Sequence, residues 1–187
     1  MTKFIDPRAV VEDEASVGDG TNIWHFCHIR KGSKIGEDCN FGHAVYIDEG
    51  VSIGNRVKIQ NKVSIFNGVT IGDDVFVGPH VCFTNDMFPR AFNTEWEITP
   101  TQIEDGVSIG ANSTIRCGIT IGRFALIGAG ALVTKDVPPF ALVLGSPGKI
   151  VGQVCQCAKV LNMDPSLPLD SSEIICTHTD SLNLPKE

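Results

Sequence analysis

An aliphatic or aromatic residue recurs at every sixth position through the first half of the chain. The register starts at Ile5, runs for fourteen consecutive hexads to Phe83, is lost after Met87, and returns for six hexads from Ile103. A second series, made mostly of small or β-branched residues, follows the first by four positions and starts at Ala9. The first series consists of Ile5, Val11, Val17, Ile23, Ile29, Ile35, Phe41, Ile47, Ile53, Ile59, Ile65, Ile71, Val77, Phe83, Ile103, Ile109, Ile115, Ile121, Ile127 and Val133.

A period of six residues fits neither an α-helix nor the two-residue alternation of a hairpin sheet. It does fit a short strand followed by a tight corner, used three times per coil of a triangular parallel β-helix. Residues eighteen positions apart would then stack vertically, about 4.8 Å from one coil to the next. A sandwich with frequent turns would show a drifting spacing instead. The sequence therefore predicts an all-β parallel β-helix of about seven coils.

The segment 88–102 interrupts the repeat. It contains Pro89 and Pro100, and the hexad register is lost throughout it. A loop of this length without a repeat is usually functional in a compact domain. We therefore expect one extruded loop at 88–102, which could also act as an arm that locks a trimer together.

Three prolines, Pro138, Pro139 and Pro147, are expected to stop further ladder pairing and to end the solenoid. The sequence thus predicts a β-helix domain at residues 1–151 and a C-terminal tail at residues 152–187. For the tail it predicts a short helix near 151–161 and one extended segment near 173–177.

Composition narrows the classes of function. The chain of 187 residues has a formal net charge of −7, which argues against general nucleic-acid binding because no basic face offsets it. The N-terminal segment lacks the apolar run of a signal peptide, and no later segment is apolar enough to span a membrane. Cys27 and Cys39 occupy inward positions of the repeat. There they are expected to be small buried side chains with reduced thiols, as in a reducing compartment. We expect a cytoplasmic protein without membrane insertion.

The second coil concentrates aromatic and basic side chains within the segment NIWHFCHIRKG. Outward positions of other coils are small or acidic, as in TIGDD. Stacking at eighteen residues places His25 below His43 and Asn61, and it places Lys31 in one column with Asn85. We therefore expect the site on two faces of the prism and the edge between them.

The hexads, the segment NDMFPRA and the closing segment VTKDVPPFALVLGSPGK together resemble the hexapeptide acyltransferases. Within them, IWHFCHI, FTNDMFPRA and the single loop are similar to bacterial N-acetyltransferases that act on nucleotide-linked 3-amino sugars. The resemblance is nearest to the UDP-2-acetamido-3-amino-2,3-dideoxy-glucuronate N-acetyltransferase group, which serves O-antigen and lipopolysaccharide biosynthesis. It implies a left-handed helix, a homotrimer with active sites between subunits, acetyl-CoA as donor, a UDP-sugar as acceptor, and no required metal.

In that reaction a neutral amine attacks a thioester, so close positioning and an N–H aimed at the oxyanion matter most. Asn85 is the first candidate for orienting the amine through its side-chain carbonyl. Its alternative role is that of a corner asparagine in the left-handed conformation. Asp86 could hold the ammonium form or cap the loop. His25 and His28 could act as bases, or they could be stacked surface or interface histidines.

The acceptor implied by the resemblance carries a pyrophosphate and a sugar carboxylate, and anions need cations or N–H donors. Arg90 in the loop is the candidate partner of the carboxylate. Aromatic side chains could stack on the uracil or cover the sugar, or could pack between subunits. The predicted acceptor-binding residues are Arg30, Lys31, Tyr46, Asn61, Lys62, Phe66 and Arg90.

The donor is expected at the upper coils, where the pantetheine arm could bond to the backbone at Gly110, Gly128 and Ala129. Lys135 and Lys149 would meet the nucleotide phosphates, and the family pattern near VTKDVP and GSPGK supports both. A lone lysine at the end of a solenoid is otherwise unremarkable.

Four other interpretations are weighed against this one. Exposed, reduced thiols are the default expectation for Cys155, Cys157 and Cys176. Together with His178 they could instead bind zinc, although the spacing lacks the paired knuckles of a zinc ribbon. A zinc carbonic anhydrase built on the same prism usually has two histidines five residues apart, and this chain has no such pair. A non-enzymatic hexapeptide-repeat subunit would leave the loop and the second coil unexplained. Within the enzyme class, the alternative acceptor is a dTDP-3-amino-3,6-dideoxyhexose, which lacks the carboxylate.

Overall fold

The structure is a computed structural model in which residues 2–164 are described. Over this range the chain forms a left-handed parallel β-helix of short strands, without an α-helix, which confirms the predicted all-β class. We call the three flat sides of the prism sheets A, B and C. Sheet B has seven strands, in agreement with about seven coils, and the parallel part of sheet A has one more.

In spatial order, sheet A contains β1 (Phe4–Ile5), β4 (Asn22–Ile23), β7 (Asn40–Phe41), β10 (Lys58–Ile59), β13 (Phe76–Val77), β16 (Ser108–Ile109), β19 (Leu126–Ile127), β21 (Ala141–Leu144), β22 (Lys149–Val154) and β23 (Val160–Asn162). Sheet B contains β2 (Val10–Val11), β5 (His28–Ile29), β8 (Tyr46–Ile47), β11 (Ser64–Ile65), β14 (Cys82–Phe83), β17 (Thr114–Ile115) and β20 (Leu132–Val133). Sheet C contains β3 (Ser16–Val17), β6 (Lys34–Ile35), β9 (Ser52–Ile53), β12 (Val69–Ile71), β15 (Thr101–Ile103) and β18 (Thr120–Ile121).

Inward side chains form one continuous core along the axis of the prism. Ile59, Ile65 and Ile71, one from each sheet, are each at most 2% exposed. Burying an aliphatic side chain of this size stabilises the fold by roughly 1.5–3 kcal/mol. Where the second series supplies a hydroxyl group, that group is paired: Thr21 Oγ1 donates to the carbonyl of Gly36 at 2.8 Å. The hexad register therefore selects core residues as the sequence predicts.

The extruded loop leaves the stacking of the coils unchanged. Below it, paired residues are eighteen positions apart, as in the pair of Phe4 with Asn22. Across it, Phe76 pairs with Ser108, yet the strands remain parallel and in register. The repeat resumes on sheet C, where Thr101 lies opposite Val69. Residues 101 and 102, which the sequence assigns to the loop, belong to β15 because they pair with β12.

Two expectations for the C-terminal region are wrong. Strand β21 continues the parallel stacking on β19 beyond Pro138 and Pro139, because both prolines occupy a corner that needs no ladder N–H. The helix predicted near 151–161 is replaced by β22 and β23, which pair in antiparallel fashion. The open edge of β21 offers unpaired backbone groups, and pairing with β22 satisfies them. The segment predicted near 173–177 lies outside the described residues, and the division at residue 151 stays a prediction.

Candidate active site

The predicted site residues flank one sheet. We call the turn that leads from sheet A into sheet B corner A–B, and the turn from sheet B into sheet C corner B–C. Corner A–B carries His25, Asn61, Lys62, Gly110, Gly128 and Ala129; corner B–C carries Arg30, Lys31, Phe66, Asn85, Asp86 and Lys135; His28 and Tyr46 lie on the strands of sheet B between the corners. Within one chain these residues therefore do not form a single cluster.

Asp48 lies at the centre of a polar cluster on corner B–C. Its Oδ1 accepts hydrogen bonds from Arg30 Nη1 at 3.1 Å, from the Tyr46 hydroxyl at 3.0 Å and from the Glu49 amide at 2.8 Å. Its Oδ2 accepts one from the Asn67 amide at 3.3 Å. Burial alone would raise the pKa of Asp48, but these hydrogen bonds outweigh it and lower the pKa below its ordinary value. The cluster therefore holds an ionised carboxylate.

We expect this carboxylate to make the protein sensitive to acid. Because the folded-state pKa of Asp48 is lowered, its contribution to stability is complete above the unfolded pKa of about 3.9 and is lost as the pH falls through the lower folded value. Thermal unfolding measured from neutral pH into the acid range should therefore show a smaller acid loss in Asp48→Asn than in the unaltered protein. Equal acid losses would contradict this role.

Glu12, one coil below, holds His28 in place. Its Oε1 lies 2.7 Å from His28 Nε2, and its Oε2 accepts a hydrogen bond from the Lys31 amide at 2.9 Å. The amide of Lys31 first, and His28 second, lower the pKa of the Glu12 carboxyl. The rings of His28 and Tyr46 on sheet B and of Phe66 on corner B–C follow one another with centroid separations of 5.8 Å. A carboxylate that orients an imidazole fits a general base or a fixed hydrogen-bond donor.

Arg30 and Lys31 of the second coil are neutralised by carboxylates. Arg30 lies 3.6 Å from Glu12 and 3.8 Å from Glu49, in addition to its bond with Asp48, and Lys31 lies 3.8 Å from Glu49. A pyrophosphate bound there would compete with these ion pairs. Glu12 and Asp48 are not among the residues predicted from the sequence, although their positions eighteen residues before and after Arg30 predict the contact.

Asn85 and Asp86 form the neck of the extruded loop. The backbone carbonyl of Asn85 accepts the Thr99 amide at 3.0 Å, and Asp86 Oδ1 accepts the Phe88 amide at 2.8 Å. Asn85 does not have a positive φ, so the alternative of a left-handed corner asparagine is wrong. Asp86 caps the loop, as one of its two predicted roles requires. It also lines a pocket of about 250 Å³ together with Trp96.

The loop itself is exposed and acidic. Arg90 donates to the carbonyl of Pro89 at 2.8 Å, and its side chain is exposed. Glu95 and Glu97 line the same pocket as Asp86. Residues 85–100 contain one basic residue and three carboxylates, and the three carboxylates line the pocket whereas Arg90 does not. This balance disfavours a further anion in the loop pocket.

On corner A–B, His25 stacks on His43 with ring centroids 4.7 Å apart. Asn61 Oδ1 accepts the His43 amide at 2.9 Å, so the side chain of Asn61 joins two coils. Lys62 has a φ of +59° and is exposed. Here the structure shows the stacked arrangement given as the alternative role of His25, and it keeps His25 apart from Asn85 by the width of sheet B.

The upper coils contain a second pocket, of about 280 Å³, that Lys135 and Lys149 both line. The two lysines predicted to meet phosphates are therefore brought together by the fold. The amides of Gly110 and Gly128 donate to Ile127 and Val143 within the ladder. A pantetheine arm at corner A–B would therefore have to bond to other atoms, such as the amide of Ala129.

Residues 2–164 contain no group of three or more histidine, cysteine, aspartate or glutamate side chains that could hold a metal ion. The same residues contain no helix that is long and apolar enough to cross a bilayer. Cys176 and His178 lie outside the described residues, so the predicted zinc alternative stays untested.

Two family models match the repeat. The model described as bacterial transferase hexapeptide (six repeats) matches residues 14–48 and 100–135, and the hexapeptide repeat of succinyl-transferase matches residues 33–67. Among solved structures, a hexapeptide-repeat-containing acetyltransferase of Vibrio cholerae complexed with acetyl coenzyme A is similar at 31% identity and a TM-score of 0.51, over 65% of this chain and 70% of that chain. A galactoside acetyltransferase in complex with coenzyme A is similar at 28% identity and a TM-score of 0.53, over 62% and 64%.

A curated relative from Aneurinibacillus thermoaerophilus is 48% identical over 160 residues, which cover 86% of this chain and 83% of the relative. It is named dTDP-3-amino-3,6-dideoxy-α-D-galactopyranose 3-N-acetyltransferase. This relative corresponds to the alternative acceptor of the sequence analysis and not to the UDP-glucuronate group. Coverage and identity of this extent, on a matching fold, show that the chain belongs to the hexapeptide-repeat acetyltransferase family.

Proposed function

We propose that the chain transfers an acetyl group from acetyl-CoA to the 3-amino group of a dTDP-linked 3-amino-3,6-dideoxyhexose. The observation that carries this proposal is the 48% identity to an enzyme named for that reaction, over 86% of the chain. The proposal includes, as the resemblance implies, that the product serves bacterial surface-polysaccharide synthesis.

The charge of the loop supports a neutral 6-deoxy sugar over a glucuronate. Asp86, Glu95 and Glu97 line the pocket of the loop, and Arg90 bonds to the adjacent backbone. A sugar carboxylate placed there would meet like charges, which raise its free energy unless each is compensated. A methyl group at the same position of the sugar carries no such cost.

Arg90→Ala separates the two acceptors. With the dTDP-linked 6-deoxyhexose we expect kcat/KM to change by less than about threefold, because the sugar offers Arg90 no anion to bind. With a UDP-linked aminoglucuronate as the true acceptor, loss of a charge-assisted bond would lower kcat/KM by about tenfold or more. Steady-state kinetics with both acceptors give the answer, and a large loss with the 6-deoxyhexose would contradict our reading of the loop.

We also propose that the enzyme is a homotrimer whose sites lie between subunits. The supporting geometry is the separation of the candidate residues onto corners A–B and B–C, on either side of sheet B. A neighbouring copy that places its corner A–B against this chain's corner B–C would bring the two sets together. The flat sides of the prism suit a closed ring of three copies.

At the reacting centre we assign Asn85 to orient the acceptor amine through its side-chain carbonyl. His28, held by Glu12, is available to accept a proton or to hold a sugar hydroxyl group. Tyr46 and Phe66 present ring faces and edges along sheet B on which a pyrimidine base could rest. Acetyl-CoA supplies the thioester, and the fold's contribution is to place the amine beside it.

The pocket of Lys135 and Lys149 fits the phosphates of the donor. Truncation of either lysine to alanine should raise KM for acetyl-CoA by about tenfold with kcat nearly unchanged, because a phosphate contact binds ground state and transition state alike. Lys58→Ala is a matched control, since Lys58 is exposed on sheet A in a lower coil. An unchanged KM for acetyl-CoA in both lysine variants would contradict the assignment of this pocket to the donor phosphates.

The decisive experiment follows thiol release from acetyl-CoA with a panel of dTDP- and UDP-linked 3-amino sugars. We expect turnover with the dTDP-3-amino-3,6-dideoxyhexoses and little or none with the UDP-aminoglucuronate. The reverse preference would overturn the acceptor assignment, and the absence of acetyl-CoA binding would favour a non-enzymatic subunit.

A further inference from the structure

The turn between β22 and β23 brings two thiols together at the top of the β-helix. The Sγ atoms of Cys155 and Cys157 lie 2.8 Å apart. That separation is within about 1 Å of the length of a disulfide bond, which is about 2.05 Å. Two backbone bonds hold the turn: the Cys155 amide donates to Lys159 at 2.9 Å, and the Ala158 amide donates to Cys155 at 2.8 Å. The backbone thus holds the two cysteines on one tight turn, from which their sulfur atoms come together.

The two thiols differ in their access to solvent. Cys155 is 0% exposed, whereas Cys157 is partly exposed. An accessible thiol beside a buried one is the arrangement of an attacking and a resolving cysteine. In contrast, Cys27, Cys39 and Cys117 are buried within the solenoid. We propose that Cys155 and Cys157 form a redox-active dithiol, which a low-molecular-weight disulfide such as glutathione disulfide oxidises to a Cys155–Cys157 disulfide.

The exchange proceeds in two steps. The thiolate of Cys157 attacks one sulfur of the oxidant, whose S–S bond breaks, so that one thiol leaves and a mixed disulfide forms. The thiolate of Cys155 then attacks the sulfur of Cys157 and releases the second thiol. The two protein thiols lose two electrons and two protons, which convert the oxidant into two thiols. A disulfide across one intervening residue closes a small ring, and strained disulfides are readily reduced, so the change should be reversible.

The test uses the full chain, equilibrated in glutathione buffers of different oxidation state, with the remaining thiols alkylated before peptide mass spectrometry. We expect a linked peptide that contains both residues, and its fraction should follow the buffer. Cys157→Ser should abolish the link, and Cys155→Ser should accumulate a glutathione adduct on Cys157. Cys82→Ser, which removes another partly exposed cysteine, should oxidise like the unaltered chain.

Four results would each overturn the proposal. They are no link at any buffer ratio, a stable glutathione adduct on Cys157 of the unaltered protein, a link from Cys155 to Cys176 instead, and oxidation that occurs only after a chelator has removed bound zinc. The last result would identify a metal site. None of these results depends on the identity of the acyl acceptor.

Discussion

Gly36→Ala should lower the stability of the protein by about 3 kcal/mol or more, because no side chain fits at this corner. A Cβ atom at Gly36 would lie 2.5 Å from the carbonyl oxygen of Gly54 and 2.6 Å from its carbonyl carbon, in the coil above. These are backbone atoms of a stacked coil, so they cannot rotate away as a side chain would. The corresponding shift in melting temperature is roughly 6–12 °C for a chain of this size.

Gly130→Ala is the matched control for this prediction. Gly130 has a φ of +71°, which L side chains rarely adopt, but a Cβ atom there would meet nothing within 4 Å. Its cost should therefore be that of the left-handed conformation alone, about 1–2 kcal/mol. Thermal unfolding at one protein concentration compares the two variants. A Gly36→Ala protein that is as stable as Gly130→Ala would show that the backbone of the next coil can move away from the added methyl group at little cost.

Asn85→Ala should lower kcat by about a hundredfold while leaving a measurable rate. The residue cannot take a proton, so its proposed role is to orient the amine, and a misplaced nucleophile loses rate without losing the reaction path. The fold should survive the change, because the Thr99 amide bonds to the backbone carbonyl of Asn85 and not to its side chain. Single-turnover kinetics would separate this loss from a change in binding.

Asn55→Ala serves as the control for Asn85→Ala. Asn55 lies at the corner between sheets C and A, where its Oδ1 accepts the Glu37 amide at 2.9 Å. Its loss should weaken the stacking of the coils without changing kcat below the melting temperature. A kcat for Asn85→Ala within about threefold of the unaltered value would mean that Asn85 does not touch the amine.

The periodic part of the fold could be predicted because every hexad places the same types of residue at the same positions. A branched side chain points inward, a small one follows at the corner, and Ile59 and Ile65 obey the same rule as their neighbours. The C-terminal cap has no such repetition. The conformation of 149–162 depends on the open edge of β21, and a short apolar pair such as Ile150 and Val151 does not reveal that edge by itself.

The candidate site was only partly predictable, for a different reason. The spacing of eighteen residues per coil places Lys31 beside Glu49 and His25 beside His43, and the structure shows both contacts. For Arg30 the same spacing predicts contacts with Glu12 and Asp48, but it does not give their geometry, which depends on the rotamers of the side chains. The acceptor is still harder to predict from the sequence, because the reaction needs few protein groups. Arg90 could bind a sugar carboxylate or bond only to the backbone of its own loop.

The neck of the extruded loop separates the sequence changes that the loop tolerates from those that the stacked coils tolerate. A backbone hydrogen bond between Asn85 and Thr99 closes the neck. Beyond it, the Thr101 amide donates to the carbonyl of Gly68, and Thr101 pairs with Val69 in sheet C. Residues between those anchors can change in number or charge while the coils above and below keep their contacts. If the proposed role of the loop holds, a change of acceptor needs substitutions in this segment only, and the stability of the coils need not change with it.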